Sequence, residues 1–270
     1  MMERLRILDL IRGGVLLGAA ATVLWLERRR QARAYVERPA VHISRNLVFA
    51  GIAAATVHVL EAPVVMPVAR LVEQRRWGLV QAVPAPGWLR GLAAMLLLDY
   101  TLYLWHRLAH RAPWLWRFHL VHHVDLDLDA TTGLRFHAGE LAASVPWRAA
   151  QVIVIGVTPA TLTLWQTLTL ACVLFHHSNA RLGHQAERRL SRVLVTPKMH
   201  AGHHSIDPAQ LHSNFSSGLA IWDWLHGTAR LDADPGAVTV GVLGHLDKPT
   251  PLATALWLPF ETGSGVRPLV

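Results

Sequence analysis

The chain has 270 residues, 52% of them hydrophobic and only 16% charged, with a formal net charge of +8. Soluble domains carry about 25% charged residues, and the arginines here flank apolar runs, so the composition points to a membrane protein and anionic headgroups instead of nucleic acid. A single cysteine, Cys172 in TLACVLF, excludes an internal disulfide and a thiolate metal cage.

Residues 8–26 are apolar and long enough to span a hydrocarbon core of about 30 Å at about 1.5 Å per residue. Arg4 and Arg6 precede this run, as in a signal peptide. Hydrophobicity continues past Ala19–Ala21 to Arg28–Arg30 without a clear cleavage site, which favours an uncleaved anchor. The second run, 47–68, reads as a span kinked by Pro63 and Pro67, with His58 and Glu61 placed to pair or to line a path. The third, 91–105, runs into His106, so one helix continues through His110. On it Asp99, Tyr103, His106 and His110 share a face, and Asp99 is expected either to face the metal side or to make a local cap or a bond to Tyr103. Residues 149–175 are uncharged and allow one tilted span or two segments bent at Gly156 and Pro159. After Phe175 the chain turns polar and reads as a helical cap.

Histidine dominates the centre of the chain. His106, His110, His119, His122 and His123 fall within eighteen residues, and His200, His203 and His204 repeat the HxxHH spacing. Offsets of three and four put imidazoles on one helical face. Pro113 suits the first position of a helix carrying His119, His122 and His123, and Thr196-Pro197 suits a cap before His200. His137 and the pair His176–His177 stand between the boxes, and only one of the adjacent pair is expected to reach a common point. Imidazole suits iron, zinc, copper or nickel, and so many convergent rings exceed one tetrahedral ion. The pattern asks for two metals, or one with further histidines around it. No HExxH, Glu-x-x-His or GxSxG occurs, which removes the zinc-peptidase, carboxylate di-iron and nucleophile-elbow patterns.

The ordered series HRLAH, HLVHH, TGLRFHAGE, FHHSN, TPKMHAGHHS and NFSSGLAIWDWLHGT resembles the fatty acid hydroxylase / sterol desaturase superfamily of integral-membrane di-iron enzymes. The resemblance covers roughly residues 95–230. It implies an all-α membrane bundle of about four spans with a cytosolic helical cap: anchor helices at 1–90, a catalytic region at 91–230 and a tail at 231–270. It implies metal ligands at His106 and His110, at His119, His122 and His123, at His177, and at His200, His203 and His204, with His137 a ligand or a near neighbour. It further implies two iron ions (with zinc possible in their place), dioxygen, and electrons from NAD(P)H through a small redox protein such as a b-type cytochrome or ferredoxin. The substrate would be a membrane lipid, hydroxylated or desaturated. Asn214-Phe215-Ser216 departs from the family's Asn-Tyr-Gly, and His226 stands where an aromatic is usual.

Basic residues at 27–45 and around the boxes put that side in the cytoplasm, although four arginines at 69–90 pull the other way. Alternatives are a zinc membrane enzyme, a metal transporter and a non-catalytic scaffold. Transport would place histidines through the spans, whereas these cluster at helix ends.

Overall fold

The computed structural model describes residues 2–261, and of residues 2–9 the backbone alone. Arg4, Arg6 and the end of the tail at 262–270 lie outside the described side chains or residues. Among the described residues the chain is all-helical, without a strand.

Helix α1 (Met2–Arg29) has no polar stripe to face water and ends on Arg28 and Arg29. Helix α2 (Pro39–Thr56) runs through a π-helical turn (Val57–Glu61) into α3 (Ala62–Arg75). Pro67 lies within α3, and Pro63 stands just after the π turn in the same continuous helix. The π turn decides the fate of the expected His58–Glu61 pair. Wider winding turns His58 outward, while buried Glu61 accepts from Gln166 Nε2 at 3.2 Å.

A short turn, α4 (Leu79–Ala82), leads to α5 (Gly87–Arg111), which does carry the chain from the apolar run through His110. Helix α6 (Pro113–His123) starts on the expected proline. Helices α7 (Ala138–Ile155) and α8 (Pro159–His177) resolve the ambiguity at 149–175 into two separate helices. The break is at Gly156, whose φ of +92° ends α7 and whose backbone touches Gly78, where φ is +95°. A side chain at either position would meet backbone.

The cap consists of α9 (His184–Leu190), α10 (Pro197–His203), α11 (Pro208–Leu211), α12 (Ile221–Leu225) and α13 (Leu252–Trp257). Thr196 caps α10, accepting from Met199 N–H at 3.4 Å, while its own hydroxyl donates to Glu187.

Helix α1 packs along α8, α3 along α7, and α5 against α6, α7 and α8. One apolar cluster, including Val65, Val72, Leu98, Val152 and Leu162, closes the end of the bundle away from the histidines. A second, including Phe49, Trp116, Leu120 and Leu258, seats the cap under the histidine layer. Among the described residues, two helical stretches are long and apolar enough to cross a membrane, Leu10–Arg29 and Pro39–Ala82. Only 11% and 17% of those windows is buried, the opposite of a soluble core helix.

Candidate metal centre

Nine histidines, from α5, α6, α8, α10 and the residue that follows α10, converge in two buried groups. His106, His110, His119, His123 and His203 form one, and His122, His177, His200 and His204 the other. Within each group the ligand atoms lie within 4.8 Å of one another. The groups adjoin, with the His123 and His204 rings stacked at 4.3 Å.

Backbone carbonyls and one carboxylate hold the rings. His106 Nδ1–H donates to Phe215 O at 2.7 Å, His203 Nδ1–H to Ser213 O at 2.7 Å, and His177 Nδ1–H to Val173 O at 2.8 Å. His119 Nδ1–H donates to Glu140 Oε1 at 3.0 Å. Oxygen of this kind only accepts, so Nδ1 carries the hydrogen in each, and burial keeps the rings of His106, His177 and His203 neutral with a bare lone pair on Nε2.

Those lone pairs face one another. His106 Nε2 is 3.1 Å from His119 Nε2 and 3.1 Å from His203 Nε2. Two acceptors cannot share a hydrogen bond, and burial without a partner is costly. A cation resolves the conflict: nitrogens about 2.1 Å from one ion, at angles between square and tetrahedral, stand about 3.0–3.4 Å apart. In the second group His177 Nε2 lies 3.0 Å from His122 Nε2 and 2.9 Å from His200 Nε2. Both ring nitrogens of His110 and His123 are buried without any partner. Burial first, and then neighbouring imidazoles, hold His122, His123, His200, His203 and His204 well below the usual histidine range, so each offers a neutral ring.

The remaining candidates fall elsewhere. His137 caps α7: its Nδ1 accepts from Gly139 N–H at 2.9 Å and its Nε2–H donates to Leu256 O at 3.1 Å. Neither nitrogen is left for a metal. Of the adjacent pair, His177 joins the second group and His176 does not, although its ring is 4.1 Å from that of His200. Asp99 neither faces the metals nor bonds Tyr103. Its Oδ2 accepts from Leu219 N–H at 3.0 Å and Trp222 Nε1–H at 2.8 Å.

A model of the family described as fatty acid hydroxylase matches residues 91–228, just over half of the chain. The chain belongs to the fatty acid hydroxylase family. Relatives within the family include an ornithine lipid hydroxylase of Rhizobium tropici, 30% identical over 57% of this chain and 46% of the relative. A cholesterol 25-hydroxylase-like protein of Danio rerio is 30% identical over 55% of this chain and 60% of its own. Human alkylglycerol monooxygenase is 25% identical over 64% and 39%. The chain thus spans about half the length of the curated relatives it matches. No solved structure matches it.

The run 214–216 lies against the rings, and His226 lies further out. Asn214, with φ of +52°, donates to Met199 O and Arg230 O, and Phe215 contributes the carbonyl that orients His106. His226 stacks on Tyr103 at 5.1 Å and bonds the Tyr100 hydroxyl.

The run Asp125-Leu-Asp-Leu-Asp129 after the second box went unnoticed in the sequence. His42 lies between Asp125 (2.8 Å) and Asp129 (3.2 Å), and Asp127 accepts from the N–H groups of Val36 and Glu37. Acidic residues at every second position in an apolar stretch were the available signal. They pin the segment before α2 to the histidine layer.

Proposed function

We propose that the chain is a membrane-bound di-iron oxygenase that hydroxylates or desaturates a C–H bond of a lipid, with dioxygen and electrons derived from NAD(P)H. The observation that carries this reading is the cavity beside the histidines. It measures about 500 Å³, and its wall includes His106, His119, His122 and His177 together with Leu102, Phe136 and Val173. A nitrogen-rich metal centre that opens onto an apolar space suits an alkyl substrate. The relatives' names, lipid hydroxylases and a monooxygenase, point the same way.

His106, His110, His119, His123 and His203 would hold one ion, and His122, His177, His200 and His204 the other. Iron in an imidazole-rich site with open positions binds and activates dioxygen. The protein's own part is positional. Glu140 orients His119 and strengthens it as a donor, the Phe215 and Ser213 carbonyls do the same for His106 and His203, and the apolar wall keeps water from the reacting carbon.

In this reading α1 and the α2–α3 helix cross the bilayer, and α5, α7 and α8 complete the bundle. The cap faces the cytoplasm, where a small electron-transfer protein could reach it. Residues 1–90, 91–230 and 231–270 act as one unit.

The test is lipid mass spectrometry of cells given isotopically heavy dioxygen and expressing the intact chain or His122→Ala. A lipid carrying one heavy oxygen only with the intact chain establishes hydroxylation; loss of two hydrogens without label establishes desaturation. No difference in any lipid, with both metals bound, overturns the reading. Metal analysis of the purified protein separates iron from zinc.

A further inference from the structure

The cavity has a second end. Away from the histidines it is lined by Arg148 of α7 and by Trp165, Gln166 and Thr169 of α8. Arg148 Nη1–H donates to Gln151 Oε1 at 2.8 Å, and its guanidinium carbon lies 4.7 Å from the Trp165 ring centre. Its Nε is buried without an acceptor, and among the described residues no carboxylate pairs with it. Buried Glu61 is nearby, but its hydrogen bond is to Gln166. A cation half-way along an apolar helix, held by Gln151 and by the field of Glu61 but with no carboxylate in contact, and open to a cavity, is expensive unless something uses it. The π turn that delivers Glu61 is a further irregularity of the kind found at functional sites.

Two helices give the depth of this end independently. On α7, Arg148 is eight residues beyond Glu140, the carboxylate that holds His119, which is about 12 Å. On α8, Gln166 is ten residues before His176 at the histidine end, about 15 Å. Between them the walls are small or apolar, with Ala50, Ala53, Ala54 and Val57 from α2 and its π turn leaving room for a chain.

We infer that Arg148 and Gln166 form a polar subsite that takes an oxygen acceptor, a hydroxyl or carboxyl group, on the non-reacting end of an elongated lipid, and so fixes which carbon meets the histidines. The inference rests on the lipid-oxygenase reading for the reacting end only. Arg148 supplies donors to the oxygen; Glu61 orients the Gln166 amide beside it. A substrate of this class carries its oxygen about 12–15 Å from the carbon attacked. Arg148 is a positioning residue and touches no reacting atom.

The experiment uses purified, metal-loaded full chain in detergent under argon, where no turnover occurs. Radiolabelled hexadecanoic acid, hexadecanol and hexadecane are bound at equilibrium to the intact protein, Arg148→Met and Arg148→Lys. The expected result is at least tenfold tighter binding of the two oxygenated probes than of hexadecane. Arg148→Met should lose that preference with hexadecane binding unchanged, and Arg148→Lys should keep most of it. In oxygen, Arg148→Met should spread product over several carbons where the intact chain marks one. If Arg148→Met fails to hold metal, Gln166→Leu reads the same preference. Equal binding of all three probes by the intact chain, or an unchanged preference in Arg148→Met, overturns the subsite. A preference that Arg148→Met abolishes, with no labelled lipid ever formed, keeps the subsite and removes the oxygenase reading. Labelled lipid with an unaltered preference does the reverse.

Discussion

Asp99 on α5 and Trp222 on α12 are joined across the bundle by a 2.8 Å hydrogen bond from the indole Nε1–H to the carboxylate. The same oxygen takes the Leu219 N–H, and Gly218 lies so close to Asp99 that a methyl group there would strike the carboxylate. The segment 213–222 so anchored carries the Ser213 and Phe215 carbonyls that orient His203 and His106. Asp99→Ala should leave buried donors without acceptors and cost about 2–3 kcal/mol. Metal content per chain should fall with it, and Gly218→Ala should reproduce the defect. Calorimetry and metal analysis read both.

Glu140 touches the candidate metal centre through one atom. Glu140→Gln keeps the size and an acceptor for His119 Nδ1–H but removes the charge that this hydrogen bond is made to. Metal affinity of the first group should fall about 10–100-fold with the fold intact. Competition with a chelator of known affinity measures it.

Removal of one ligand from each group should separate the two sites. His203→Ala should cost the first group's ion and His200→Ala the second's, each leaving no more than one metal per chain and abolishing oxygenation. Gly133→Ala gives a milder version, because its methyl would sit 3.0 Å from His177 Nδ1. It should weaken the second site and spare the first.

The acidic run predicts a pH dependence. Burial pushes Asp125 up, but Arg135, His42 and Arg45 outweigh it and hold it at about 2. A folded-state value below the unfolded one stabilises the protein above about pH 4, and that contribution is lost as pH falls towards 2. The melting temperature in detergent should drop across that window. Asp125→Asn should lower it already at pH 7, by about 3–5 kcal/mol of stability, because His42 and Arg135 lose their common counter-charge. A flat profile in the intact chain would contradict this account.

The histidine layer was legible in the sequence because helical spacing is local: offsets of three and four, with Pro113 and Thr196-Pro197 at the helix starts, brought α6 and α10 to the right faces. The π turn was not, since nothing in VHVLE announces a wider winding, and so the His58–Glu61 pair was misread. Asp99 finds its partners about 120 residues away in Leu219 and Trp222, and a contact of that range has no period to read. His137 came in as a ligand or a near neighbour through the family resemblance. The α7 cap it makes depends on backbone geometry, which a sequence pattern does not display.

The facing nitrogens of His106, His119 and His203 bear on how the chain matures. Helix α10 has seven residues, too few to hold its own shape, and it supplies His200 and His203. With no ion between them, the facing Nε2 atoms of His203 and His106 leave α10 in unfavourable contact with α5. In the reading proposed above, metal capture would be the closing step of assembly, and the supply of metal in the cell would set how much of the newly made chain escapes degradation.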